Sequence, residues 1–108
     1  MLFRSRDEIL AFKKELEQFD ITFEILAEKS PKHKDTRDRA IRIGYRVSDD
    51  GVLIEKVYEK KRLPIRDISR KFEITEKILK RSKVFILSTA VLFFKKYTNL
   101  IVWIKGVK

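Results

Sequence analysis

The sequence contains no cysteine, and this absence removes several kinds of chemistry at once. Disulfide bonds, thiolate metal sites and cysteine nucleophiles are all excluded. The lack of disulfides fits a reducing cytoplasm, which is the location we expect. The only histidine, His33, is too little for a histidine-based metal cluster. We therefore expect neither a metal nor another cofactor.

Glycine and proline are also scarce, at three and two residues, and the sustained polar–apolar alternation of β-strands is absent. The most apolar run, Val84 to Phe94, covers only about 16 Å as a helix, which is far too short to cross a bilayer. The fold class that we predict is all-α: one multi-helix domain over residues 1–108, without membrane insertion.

Helical periodicity and capping residues divide the chain into segments. Ser5 stands three residues before Glu8, the spacing of a capping box, so a first helix is predicted from about Arg6 to Phe19. Thr22 caps a second helix that ends near Glu28. A third helix, capped by Asp35 or Thr36, ends near Val47. Further helices are predicted at about 51–60, 64–71 and 75–94, and a short final helix at 99–104 is favoured over a strand.

Positive charge is the clearest excess in the sequence, with a formal net charge of +10. Residues 29–46 contain seven Lys or Arg against two Asp or Glu, and residues 60–83 contain ten against three. The first 28 residues are net acidic instead. A polyanion, most commonly nucleic acid, is the expected partner of the two basic blocks.

The second basic block has the apolar pattern of a helix-turn-helix over Pro64–Leu87. Its inward positions are Ile68, Phe72, Ile74, Ile78 and Leu79. Two residues depart from the usual pattern, because Glu73 occupies a turn position that favours glycine and Ser82 a position that is usually apolar. Any helical hairpin with a solvated outer face would give a similar pattern, so the pattern alone leaves that alternative open.

In this register, the exposed side of the second helix carries groups that bind base edges and phosphates. These candidate DNA-binding residues are Thr75, Glu76, Lys77, Lys80, Arg81 and Lys83. Basic residues before the second helix extend the set with Lys61, Arg62 and Arg66, and the first block adds Lys32, His33, Lys34, Arg37 and Arg42 as phosphate contacts. For the first block, a solvated helix face is the alternative.

The segment Val84 to Phe94 is apolar nearly all round, which predicts that it forms the hub of the core, wrapped by Phe12, Phe19 and Phe23. A domain of this size has limited capacity to bury such a helix completely. We therefore expect some of its side chains to stay exposed and to contact a protein partner. The candidates are Phe85, Val91, Leu92, Phe94 and Trp103.

Four segments carry a more specific resemblance: SPKHKDTR at 30–37, AIRI at 40–43, KKRLPI at 60–65 and EKILKRSKVFIL at 76–87. The chain resembles the C-terminal domain of the sigma-I (SigI) family of alternative RNA polymerase sigma factors over about residues 5–94. The resemblance implies a non-enzymatic domain that reads the upstream, minus-35 promoter element. A separate N-terminal domain would bind RNA polymerase, and a membrane-bound anti-sigma factor of the RsgI type would bind this region and sequester it.

Two other functions are weighed against this interpretation. A helical interaction module would chiefly dock the anti-sigma partner and bind DNA weakly in isolation. A metal-dependent nuclease has less support, because Asp49 and Asp50 are adjacent in a helix-ending turn with no third acidic ligand nearby.

Overall fold

The structure is a computed structural model that describes the backbone of residues 2–106 and the side chains of residues 6–102 and 104. The side chains of Ser5 and Trp103, which the predictions above use, lie outside the described residues. Within 2–106 the regular structure is entirely helical, as expected for the all-α class. The helices are α1 (Leu2–Glu17), α2 (Phe23–Lys29), α3 (Lys34–Asp49), α4 (Gly51–Lys60), α5 (Ile65–Phe72), α6 (Glu76–Arg81), α7 (Lys83–Phe94) and α8 (Thr98–Gly106).

Helix α7 is the hub of the core, as its composition predicts. Every residue from Phe85 to Leu92 is buried, and α7 contacts α1, α2, α3, α4, α6 and α8. The expectation that some of the candidate side chains would remain exposed holds for Phe94 but not for Phe85, Val91 and Leu92, because helices cover this part of α7 on every side. Phe94, at the end of α7, is 45% exposed.

Helices α3 and α7 pack closely against each other at Gly44. A Cβ at position 44 would lie 2.8 Å from both Cβ and Cγ2 of Thr89, and 3.1 Å from the backbone oxygen of Ile86. Thr89 is buried, and its hydroxyl donates to the Phe85 carbonyl at 2.7 Å. Glycine at position 44 is therefore what lets the two helices approach this closely.

The predicted continuous helix over 75–94 is interrupted at Ser82, which separates α6 from α7. Its ψ of 23° is far from the helical value of about −42°, and the residue is buried, with 5% exposure. The break at this small buried residue lets α6 pack against α5 while α7 continues through the core. The single-helix prediction was therefore wrong at this residue.

Other helix ends differ from the predictions by smaller amounts. Helix α1 begins at Leu2 rather than near Arg6. Helix α3 begins at Lys34 with His33 as its N-cap, and the cap makes no side-chain hydrogen bond, so Asp35 and Thr36 do not have the capping role expected of them. Asp35 lies in the first turn instead, where a negative charge favours the helix dipole. The segment 99–104 is helical, as favoured.

Candidate nucleic-acid interface

Helices α5 and α6 form a hairpin joined by residues 73–75. Glu73 ends α5 in the left-handed conformation, with φ 56° and ψ 47°, and the amide of Ile74 donates to the Ser69 carbonyl at 3.2 Å. Thr75 caps α6 by accepting a hydrogen bond from the amide of Ile78 at 3.5 Å. Helix α5 therefore ends and α6 begins within three residues, with Thr75 as the N-cap that the sequence predicted.

Two fully buried side chains anchor this hairpin in the core. Ile68 on α5 and Leu79 on α6 are both 0% exposed. Phe72 and Ile74 are partly buried and pack against the same core. This anchoring fixes which side of α6 faces outward.

The outward side of α6, together with its N-cap Thr75 and the first residue of α7, Lys83, carries the residues that the sequence register assigned to this face. Thr75, Glu76, Lys77, Lys80, Arg81 and Lys83 are all exposed. Glu76 and Lys80 form an ion pair across one turn at 3.8 Å. Among the described residues, no carboxylate lies within 4 Å of Lys77, Arg81 or Lys83. Most of the positive charge on this face is therefore available to an anionic partner.

A crevice of about 180 Å³ joins α6 to the first turns of α3. Arg39 from α3 and Arg81 from α6 line it, together with Thr36, Ile78 and Ile43. Arg39 is exposed but is absent from the predicted DNA-binding set. Its position in the sequence could have indicated this role. Arg39 directly precedes Ala40, the first of the buried α3 residues that face α7, so it lies at the edge of the buried side of α3.

The basic residues around the start of α3 differ in their exposure to solvent. Lys32, His33 and Lys34 are exposed, and Lys34 pairs with Asp38 at 2.7 Å. The hydrogen bond from Lys34 holds the pKa of Asp38 below its ordinary value. Arg37 is half-buried and lines a different cavity, next to α2. The structure therefore separates Arg37 from its exposed neighbours.

The remaining predicted DNA-binding residues also differ in whether their side chains are free to contact DNA. Arg62, Arg66 and Arg42 are exposed. Lys61 instead lies against the end of α1, where its ammonium group donates to the side chain of Gln18 and sits 5.7 Å from the ring centre of Phe19. The Lys61 ammonium also lies 5.9 Å from the ring centre of Tyr58 on α4, so its described contacts are with α4 and the residues that follow α1 rather than with the hairpin.

Charged and aromatic contacts hold α5 against α3 and α4. Lys56 of α4 pairs with Asp67 at 2.8 Å, and Lys71 pairs with Asp50. The guanidinium carbon of Arg46 lies 4.0 Å from the ring centre of Phe72. We call these three contacts the α5 clamp. Because α5 leads directly into α6, the clamp adds to buried Ile68 and Leu79 in orienting the exposed basic face.

Asp50 has two roles at this junction. Its Oδ1 accepts hydrogen bonds from the amides of Val52 at 3.1 Å and Leu53 at 3.0 Å, capping α4, while Oδ2 pairs with Lys71. The Lys71 ammonium, followed by the amide of Leu53, holds the pKa of Asp50 below its ordinary value. The Lys56 ammonium lowers the pKa of Asp67 in the same way. Both carboxylates are therefore stabilised in their charged forms.

The sequence of the chain is similar to those of several RNA polymerase sigma factors. It is 35% identical over 103 residues to RNA polymerase sigma factor SigI of Bacillus anthracis, and the alignment covers 95% of the chain and 43% of that protein. It is 31% identical over 102 residues to SigI of Bacillus subtilis, covering 94% and 41%. It is 36% identical over 87 residues to SigI4 of Acetivibrio thermocellus, covering 81% and 32%.

The chain is a homologue of SigI-family RNA polymerase sigma factors. It spans less than half the length of these SigI relatives and corresponds to their C-terminal part. No family model matches it. The family resemblance expected from the four segments is therefore confirmed.

The described part of this SigI homologue shows neither a metal-binding cluster nor a membrane-spanning helix. Residues whose placement is described include no group of three or more His, Cys, Asp or Glu that could hold a metal ion. In the same part of the chain, no helix has the length and hydropathy needed to cross a membrane.

Proposed function

We propose that the chain is the promoter-reading domain of a SigI-type sigma factor and that it binds DNA through α6. The observation that carries this proposal is the exposed basic face of α6, held in a fixed orientation by buried Ile68 and Leu79, in a chain whose relatives are sigma factors. Sigma factors are initiation factors rather than enzymes, and we propose that this domain has no catalytic role.

The proposed docking puts α6 in the major groove of the upstream, minus-35 promoter element. Arg81 and Lys80 have the donors that guanine O6 and N7 accept, and Glu76 has the acceptor for the cytosine amino group. Thr75 and Lys77 flank these groups at the start of the helix. Base reading is therefore assigned to α6, and α5 holds it at the groove.

The neighbouring basic residues extend the proposed contact along the phosphate backbone. Arg39 shares a crevice with Arg81, so it lies at the edge of the α6 face. Lys32, Lys34 and Arg42 are exposed, and we propose that they extend the phosphate contact at and beside α3. Contacts of this type contribute affinity and salt dependence rather than sequence preference.

The test compares promoter binding by the intact chain and by a variant carrying Lys80→Ala and Arg81→Ala. Fluorescence anisotropy on a candidate promoter duplex and a scrambled duplex, over a salt series, measures affinity and specificity separately. We expect a preference for the promoter duplex in the intact chain. Each lost base contact should cost the variant about 1–3 kcal/mol on that duplex.

A variant with Lys13→Ala and Lys14→Ala is the matched control, because both lysines are exposed on α1 and the same net charge is removed. It should lower the affinity for both duplexes only slightly and leave the preference intact. A folded α6 variant that still discriminates the two duplexes as the intact chain does would contradict the assignment of base reading to α6.

We extend the proposal to the partners that the SigI resemblance implies. The full-length factor would bring RNA polymerase to the promoter, and an RsgI-type anti-sigma factor anchored in the membrane would sequester this domain. Phe94 supports a protein contact, since it is 45% exposed and packs 5.5 Å from the ring of Tyr58 at the surface.

Sequestration is tested by titrating an RsgI-type N-terminal domain into the labelled DNA complex. Displacement of the DNA would support occlusion of α6 or of the surface beside it. Binding to the chain with no loss of DNA would instead separate the two surfaces and contradict sequestration by direct competition. Substituting Phe94→Ser reports whether the end of α7 takes part in the contact.

A further inference from the structure

A second, larger cavity lies on another part of the molecule, among α1, α2, α7 and α8. Its volume is about 550 Å³, which is within the range of sites that bind small organic ligands. Its walls are mainly apolar, and they include Phe12 from α1, Leu26 from α2, Phe85 from α7 and Leu100 from α8. Such walls match a hydrocarbon chain.

One cationic side chain, Arg37, belongs to the described wall of this cavity. Its Nε is buried and has no hydrogen-bond partner among the described residues. A buried donor left without a partner is costly, particularly when it belongs to a charged group. The other polar groups of the wall are engaged: the Ser30 hydroxyl donates to the Leu26 carbonyl at 2.6 Å, and the Asn99 amide group donates to Glu8 at 3.2 Å.

The charge at the α8 side of the cavity is of the opposite sign. Glu8 accepts hydrogen bonds from the backbone amide of Leu100 at 3.1 Å and from Asn99, and both of these residues line the cavity. An anion is repelled beside Glu8 and attracted beside Arg37. The cavity therefore favours a ligand with its negative group at Arg37 and an apolar part toward α1 and α8.

We infer that this cavity binds a single-chain amphiphile with one carboxylate, of the medium-chain fatty acid type. The Arg37 guanidinium takes the carboxylate in charge-assisted hydrogen bonds, and the apolar walls take the chain. The inference is independent of promoter binding, because it rests on a cavity that none of the α6 residues lines.

The probe for this site is decanoate, titrated into the intact chain. Isothermal titration calorimetry measures both the stoichiometry and the affinity. We expect saturable binding of one decanoate per chain. Acetate has the carboxylate without the chain and 1-decanol the chain without the charge, so both should bind at least about tenfold more weakly.

Two arginine variants on the same helix separate a specific contact from general attraction to a basic protein. Arg37→Gln should weaken decanoate binding about tenfold or more while leaving 1-decanol binding unchanged. Arg39→Gln removes the same charge from an exposed residue outside the cavity and should leave both affinities unchanged. Equal loss in the two variants would overturn the assignment of the carboxylate to Arg37.

A third variant tests the cavity without altering charge. Ala27 is exposed and lines the cavity, so Ala27→Phe fills space without overpacking the core. It should abolish decanoate binding, with circular dichroism confirming that the helices persist. Retained binding, or decanol binding as tight as decanoate binding, would overturn the inference. So would a concentration-dependent dimer that Ala27→Phe dissociates, since the occupant would then be a second copy of the chain.

Discussion

Helix α3 holds two neighbouring helices by different physical means. Against α7 it uses close contact of small and apolar groups, with Gly44 facing buried Thr89. Against α5 it uses Arg46 over the Phe72 ring, and the turn that follows α3 adds the pair between Asp50 and Lys71. The first contact depends on shape and is insensitive to salt, whereas the second depends on charges that salt and pH can weaken. The contact of α3 with α7 is thus less sensitive to salt and pH than its contact with α5, whose buried Ile68 is a separate anchor in the core.

Gly44→Ala disrupts the close contact between α3 and α7 and should have the largest effect on stability. The new methyl group would lie 2.8 Å from Cβ and Cγ2 of Thr89, so α3 and α7 must separate. Overpacking of this kind typically costs about 1–3 kcal/mol, measured as a loss in the free energy of unfolding in urea. The loss should be equal at low and high salt.

The companion substitution for Gly44→Ala is Thr89→Ala, which removes Cγ2 but leaves Cβ. The double variant should recover part of the stability that Gly44→Ala loses relative to Thr89→Ala alone. Purely additive losses in the double-mutant cycle would contradict a steric contact between the two positions.

Substitutions of Asp50 disrupt the charged contact with Lys71 of α5 and should have a smaller effect on stability. Asp50→Ala removes both the α4 cap and the pair with Lys71, and loss of such a cap costs about 1 kcal/mol. Asp50→Asn keeps a side-chain oxygen for the cap and loses the charge, so it should cost less. Urea unfolding at low and high salt measures both losses.

The pH dependence of Asp50 follows from its lowered pKa. A carboxyl whose pKa is lower in the folded state contributes stability above its ordinary pKa, near 4, and loses it as the pH falls through the folded value. Asp50→Asn should therefore flatten the fall in stability at acid pH. An unchanged acid limb would contradict a native-state role for the Asp50 charge.

Glu73→Gly tests the turn between α5 and α6 and should have the smallest effect on stability. Glu73 has φ 56°, a conformation that glycine adopts without the steric cost of a Cβ. We expect a gain of at most about 1 kcal/mol, reduced by the greater freedom of glycine in the unfolded chain. The thermal midpoint of unfolding measures this gain.

Glu55→Gly is the matched control for Glu73→Gly, since Glu55 is exposed within α4. Glycine inside a helix costs about 1 kcal/mol, so the two substitutions should shift the unfolding midpoint in opposite directions. Destabilisation by both would mean that the Glu73 side chain makes a contact worth more than its backbone strain.

The helices and the exposed face of α6 were predictable because they follow local rules. Thr22 and Thr75 cap helices as their residue type suggests, and burial of Ile68 and Leu79 follows from their spacing. The break at Ser82 was not predictable in this way, since neither glycine nor proline marks it and helical periodicity continues on both sides. It arises from packing between α5, α6 and α7, which a single local segment does not encode.

The exposure of individual side chains also depended on tertiary structure. The composition of α7 indicated a core helix but not that helices would cover it on every side, so Phe85 and Val91 were misjudged. Arg37 and Arg39 are two residues apart in one basic block, yet one lines an apolar cavity and the other a crevice beside α6. Only the arrangement of α2 and α6 around α3 distinguishes them.

The break at Ser82 also limits how much sequence the proposed interface can read. A helix of six residues is about 9 Å long at ~1.5 Å per residue, and stacked bases are about 3.4 Å apart along one strand. Helix α6 therefore passes only about three base steps before the chain turns into the core. A longer promoter element would have to be recognised through the shape of its backbone or by another part of the sigma factor.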